Sequence, residues 1–117
     1  MDKNFRYIAD QCKSSTMLDY YSFMIRYTVH FEGRVQGVGF RMRTRAAAKN
    51  HAVAGYVMNL PDRRVRLVAE GQEQELKAFL QDVHRDLARN IARHTIDESP
   101  ATGEFGTPAP GELSIRY

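Results

Sequence analysis

The chain has 117 residues, 43% of them hydrophobic, a net charge of +3 and a single cysteine. That length supports one domain around one core and is too short for two. No apolar run approaches the roughly 20 residues of a membrane helix. The N-terminus does not read as a secretory signal, and Cys12 alone forms no internal disulfide, so a reducing cytoplasm is the expected compartment.

Residues 1–23 mix polar and aromatic side chains without a period. They read as an N-terminal extension, disordered or loosely packed, ahead of a domain at 24–117. Met24 opens the first clean strand pattern and is a candidate translation start. From Ile25 to Gly33, Tyr27, Val29 and Phe31 alternate with Arg26, Thr28, His30 and Glu32, as in a half-buried antiparallel strand. A turn with three glycines follows, and then Arg41 to His51, rich in alanine, is predicted as a helix. Ala54 to Asn59 is predicted as the second strand. Asn59-Leu60-Pro61-Asp62-Arg63 carries turn chemistry, because proline fixes φ while Asn and Asp bond to nearby backbone. Val65, Leu67 and Ala69 form the third strand, paired with the second as a hairpin.

Gly71 is expected to end that strand. Leu76, Phe79, Leu80, Val83 and Leu87 then recur at helical spacing, with Glu73, Glu75, Lys77, Asp82 and Arg85 on the wet side. Ile91 to Ile96 is the fourth strand, Ser99 to Gly111 a loop rich in proline and glycine, and Leu113 to Tyr117 a short closing strand. The order β-α-β-β-α-β, plus that last strand, predicts an α+β, ferredoxin-like split βαβ fold with two helices on one face of an antiparallel sheet. This topology hosts many functions and identifies none.

The chemistry concentrates in Gly33-Arg34-Val35-Gln36-Gly37-Val38-Gly39-Phe40-Arg41. A strand, a glycine loop and a helix N-terminus present free backbone N–H groups and a positive dipole end, which suits a phosphate-like anion. Arg41 adds a planar fork for bidentate phosphate contacts. From Gly33 to Pro61 the charged residues are Arg34, Arg41, Arg43, Arg45 and Lys49, with no acid among them, so positive charge gathers around this loop. Val35 and Val38 are expected to support the loop by packing, and Phe40 to be core. The loop lacks the spacing and Lys-Ser/Thr ending of a P-loop, and no parallel βαβ pattern makes it a dinucleotide fingerprint. His30, His51, His84 and His94 lack paired ligand spacing, so no metal site is expected.

With Gly55-Tyr56-Val57-Met58-Asn59-Leu60-Pro61-Asp62 and the terminal Leu113-Ser114-Ile115-Arg116-Tyr117, the first motif resembles the acylphosphatases over roughly residues 24–117. The resemblance implies a metal-free, cofactor-free hydrolase that cleaves carboxyl-phosphate anhydrides to a carboxylate and inorganic phosphate. It also implies that Arg41 binds the phosphate and that Asn59 positions the attacking water. Tyr56 stands where that family most often has tryptophan, and Arg63 where glycine is frequent in the hairpin turn.

The residues are consistent with this chemistry. The leaving carboxylate has a conjugate acid of pKa about 4, so it departs without a general acid. What remains is to hold the phosphoryl group, stabilise its charge and aim a water. The amides of Gln36, Gly37, Val38, Gly39, Phe40 and Arg41, with the Arg41 guanidinium, can do the first two. The Asn59 carboxamide, at once donor and acceptor, can do the third.

An alternative is a non-catalytic ferredoxin-like module binding nucleic acid or another anion, since RNA-recognition domains share the topology. Their stacking aromatics would fall at Val38, Phe40 and Met42, leaving one aromatic of three. A regulatory domain without turnover is a further alternative, against which the pairing of Arg41 with Asn59 counts. The expected partners are therefore a small acyl phosphate and its phosphate product, with no nucleic acid, no membrane and a monomeric chain.

Overall fold

A computed structural model describes residues 23–117, and the expected N-terminal extension, apart from Phe23, lies outside the described residues. The elements are β1 (Met24–Gly33), α1 (Phe40–Ala48), β2 (Val53–Asn59), β3 (Val65–Gln72), α2 (Glu73–Leu87), β4 (Ile91–Pro100) and β5 (Glu112–Arg116). They form a five-stranded sheet in the order β4-β1-β3-β2-β5. The ferredoxin-like α+β arrangement follows. β1 pairs antiparallel with both β3 and β4, and β2 antiparallel with β3.

One correction concerns the sheet's sense. β5 runs parallel to β2, with Gly55 opposite Leu113 and Val57 opposite Ile115, so the sheet is mixed and antiparallel only through its first four strands. The reason is topological. β4 and β5 lie at opposite edges, so residues 101–111 must cross the sheet, and the chain re-enters beside β2 pointing the same way.

Other boundaries also differ from expectation. Gly71 does not end β3, since it stays in register between Ile25 and Val53, and a Cβ there would stand 2.8 Å from the Ala52 carbonyl oxygen. β4 runs on to Pro100 because, beyond an irregularity between Glu32 and Gly33, β1 offers a continuous edge from Glu32 to Ile25. Its residues alternate little in burial, which hid its length from periodicity. α1 ends at Ala48, three residues early, and Asn50 and His51 donate back to Ala47 and Ala48 in a closing turn.

One core fills the space between sheet and helices. Phe40, Ala47 and Ala48 of α1 and Leu76, Phe79, Leu80, Val83 and Leu87 of α2 meet Val29, Phe31, Val53, Val57, Val65, Leu67 and Ala69 of the sheet. Both helices thus cover one face, and the alternation read from the strands is the core pattern. α2 also carries Glu73 and Glu75 in its first turn and Arg85 in its last, complementing its dipole.

The opposite face is covered by the crossing segment. Glu70 is buried there, accepting from the amides of Thr102 (2.9 Å) and Gly103 (3.0 Å), the Thr102 hydroxyl (2.9 Å) and Arg26 Nε (2.8 Å). Burial pushes this carboxyl upward, but the amides of Thr102 and Gly103 together with Arg26 hold it below the ordinary glutamate value. Phe105 packs edge-on against Tyr56 at 5.9 Å, and Arg26 lies over the Phe105 ring at 5.1 Å.

Candidate active site

The glycine loop spans the end of β1 and the start of α1, and a buried residue anchors it on each side. Val35 is 1% exposed and Phe40 2%, and Phe40 packs on Phe31 at a ring-centroid distance of 5.0 Å. Between these anchors the chain is exposed. Val38 is itself 39% exposed, so the packing role expected of it falls to Val35 alone. Gly37 and Gly39 both take φ of 77°, and a Cβ on either would meet nothing within 4 Å. They are glycines for backbone conformation, since other L residues pay strain in the left-handed region.

This geometry leaves the loop amides free. The first helical bond runs from the Arg43 amide to the Gly39 carbonyl at 3.0 Å, and no side chain caps α1. Among the described residues, no amide from Gln36 to Met42 donates a hydrogen bond. Consecutive unpaired N–H groups at a left-handed turn leading into a helix form a concave anion receptor, reinforced by the helix dipole.

Gln36 has a second task that its position in the motif did not announce. Its Nε2 donates to the Leu60 carbonyl at 2.8 Å and to the Arg64 carbonyl at 2.9 Å. Its side chain therefore ties the loop to the β2–β3 hairpin, and Gln36 lines the cavity next to the cleft of Arg41 and Asn59. In that hairpin the Arg63 amide donates to Leu60 and the Leu60 amide to Arg64, with Arg63 at φ 77°. This is a type I turn at Pro61-Asp62 closed by a left-handed residue, the position where glycine is favoured.

Arg41 and Asn59 line one cleft of about 170 Å³ together with Val35, Gly37, Gly39, Phe40, Met42, Ile115 and Tyr117. The Asn59 side chain, half-buried at the end of β2, has no hydrogen-bond partner among the described residues. Arg41 is held by the C-terminal residues. Its Nη1 donates to the Arg116 carbonyl at 3.0 Å, and its guanidinium lies 4.7 Å from the centre of the Tyr117 ring. Arg116 in turn stacks on Tyr56 at 3.8 Å. Tyr56 thus steadies the strand whose carbonyl holds Arg41.

Met42, Ile115 and Tyr117 were not singled out as cleft residues. Met42 follows the motif directly, and Ile115 and Tyr117 belong to the terminal motif, which carried the resemblance without placing them at the cleft. They arrive through the parallel pairing of β5 with β2. Sequence spacing also concealed the histidine contacts. His84 and His94 face each other at 4.5 Å between ring centres, and His51 Nε2 lies 2.6 Å from Asp82 Oδ2. Among the described residues no group of three or more His, Cys, Asp or Glu is placed to hold a metal ion.

The acylphosphatase family profile matches residues 27–107. An acylphosphatase of Bacillus velezensis is 44% identical over 77 residues, spanning 65% of this chain and 86% of that protein. One from Syntrophus aciditrophicus is 41% identical over 83 residues, spanning 70% and 86%. The crystal structure of acylphosphatase from Bacillus subtilis superposes with a TM-score of 0.66 at 32% identity, covering 80% of this chain and 99% of that one. With this cleft and these relatives, the chain belongs to the acylphosphatase family, enzymes that hydrolyse acyl phosphates.

Proposed function

We propose that the cleft hydrolyses acyl phosphates by in-line attack of water, with Arg41 and the loop amides binding the phosphoryl group and Asn59 orienting the nucleophile. The observation that carries this reading is that Gly37, Gly39 and Phe40 of the free-amide run line one cleft with Arg41 and the unpartnered Asn59 carboxamide, while Gln36 and Val38 line the adjoining cavity. Amides from Gln36 to Arg41 and the guanidinium bear on the non-bridging oxygens, where charge accumulates as the bond to the leaving group lengthens. Asn59 donates to or accepts from a water beside the phosphorus. The new P–O bond forms as the acyl C–O–P bridge breaks on its phosphorus side. The bridging oxygen leaves with the carboxylate, and the water's proton passes to phosphate or solvent.

This division of labour requires neither a general acid nor a metal ion, because the leaving group is a weak base and positive charge is supplied by Arg41 and N–H dipoles. We also propose that the protein acts as a monomer in the cytoplasm on a small acyl phosphate, without a nucleic-acid partner. Among the described residues no helix is long and apolar enough to cross a membrane.

The decisive test is hydrolysis of benzoyl phosphate by chelator-treated protein, run beside a phosphate monoester. Turnover of the mixed anhydride alone, at a rate indifferent to the chelator, is expected. Turnover of the monoester, or loss of rate with the chelator, would reject this mechanism.

A further inference from the structure

A second cavity of about 530 Å³ adjoins the first and shares Val35 and Gly37 with it. Gly33, Arg34, Gln36, Val38 and Arg63 complete its lining, and no acid is among them. The two arginines come from different elements, Arg34 from the loop after β1 and Arg63 from the β2–β3 turn. The Gln36 carboxamide fixes those elements against each other through Leu60 and Arg64. The backbone positions of the two arginines are thus held by the scaffold, and both side chains are exposed.

Neither guanidinium has a hydrogen-bond or ion-pair partner among the described residues. The nearest acid in sequence, Asp62, is engaged by Arg64 through the backbone amide at 3.1 Å and Nε at 2.8 Å, so it leaves Arg63 uncompensated. Arg63 is also the one described non-glycine residue at positive φ. An arginine kept where glycine would sit without strain is a local conflict of the kind found at functional sites.

We propose that Arg34 and Arg63 form a second anion subsite that receives a carboxylate or phosphate carried on the acyl part of the substrate. This rests on the first cavity being the phosphoryl site. With the phosphoryl group in the cradle, an acyl chain of a few atoms extends past Gly37 into the adjoining space, where two forked cations meet its distal charge. The enzyme then selects acyl phosphates that bear a further negative charge over neutral ones of equal length.

Succinyl phosphate and butyryl phosphate test this cleanly, since they differ by a carboxylate in place of a terminal methyl group. The ratio of their kcat/KM values is measured in the full chain, Arg63→Gly, Arg34→Ala, the double variant, and Arg43→Ala as an exposed cation outside the cavity. The full chain is expected to favour succinyl phosphate about fivefold at low salt, as for a solvent-exposed charge contact, with the preference shrinking as salt rises. The ratio should fall to about one in the double variant and hold in Arg43→Ala. Arg63→Gly should melt no lower than the parent, which separates lost selectivity from lost folding. No preference in the full chain, a ratio unchanged in the double variant, or an equal fall in Arg43→Ala overturns the subsite. Those outcomes leave the phosphoryl site standing. Hydrolysis of neither substrate removes that reading and the subsite with it.

Discussion

The Gln36 carboxamide donates to the Leu60 carbonyl at 2.8 Å, joining the glycine loop to the turn that follows Asn59. Its second bond, to Arg64, makes one side chain span the turn. Two neutral hydrogen bonds contribute about 1–3 kcal/mol together. Gln36→Ala should therefore lower the melting temperature by several degrees. It should also reduce kcat/KM, because the loop and Asn59 lose their common reference. A drop in melting temperature with unchanged kinetics would mean that the tie serves the fold alone.

In the proposed mechanism Arg41 supplies the side-chain charge that meets the phosphoryl group. Arg41→Ala is expected to abolish benzoyl phosphate turnover, and Arg41→Lys to restore little, since an ammonium lacks the planar fork. Asn59→Ala should cut kcat by about 10²–10³, the scale of losing one oriented transition-state contact. Inhibition by inorganic phosphate should persist in Asn59→Ala. Equal loss of phosphate affinity would reassign Asn59 to binding.

Tyr117 lies over the same guanidinium while remaining 95% exposed. An exposed cation–π contact contributes about 0.5–1 kcal/mol. Tyr117→Ala should accordingly raise KM for acyl phosphates two- to fivefold, with kcat changed less. A variant indistinguishable from the parent in KM would show that the Arg116 carbonyl alone suffices to hold Arg41.

His84 carries the clearest pH prediction. Its Nε2 is buried without a hydrogen-bond partner, and its ring faces His94 and Phe31. Lys77, Tyr27 and Gln81 line the same hollow, and none supplies a carboxylate. Burial, then the neighbouring His94, lowers its pKa from the ordinary 6.5. A histidine whose folded value lies below its unfolded one favours the fold while neutral. The stability linked to His84 is complete above about pH 6.5 and erodes as pH falls below it. His84→Leu should flatten that slope in urea titrations between pH 7 and 5. An unchanged slope would exclude His84 as its source.

The strand alternation of Tyr27, Val29 and Phe31 and the α2 stripe from Leu76 to Leu87 are local patterns, and the core adopts them directly. The glycine loop was legible because Gly37 and Gly39 report a backbone conformation and not a contact. Gln36, Ile115 and Tyr117 were not legible in their actual roles. Each acts across the fold, on a hairpin turn or through a parallel strand pairing separated by more than 50 residues of chain from β2. Gly71 misled for a related reason. In isolation it reads as a breaker, whereas between two paired strands its missing side chain leaves room for the Ala52 carbonyl.

The crossing segment depends on Glu70, the one acid buried in the sheet. Its carboxylate accepts from two amides, a hydroxyl and Arg26, which satisfies the charge that burial would otherwise penalise. Glu70→Gln keeps the shape but removes the charge and turns one acceptor into a donor facing amides. The cost should be about 2–4 kcal/mol, read as a lower urea midpoint. The folded pKa lies below the unfolded one, so this contribution is present above the ordinary glutamate value of about 4.3 and is lost as pH falls through the folded value. Because residues 101–111 lead into β5, loosening them should also free the Arg116 carbonyl and weaken its hold on Arg41. Glu70→Gln is therefore expected to raise KM for benzoyl phosphate even well below its melting temperature. A fully folded Glu70→Gln protein with the parent's KM would uncouple the clamp from the site.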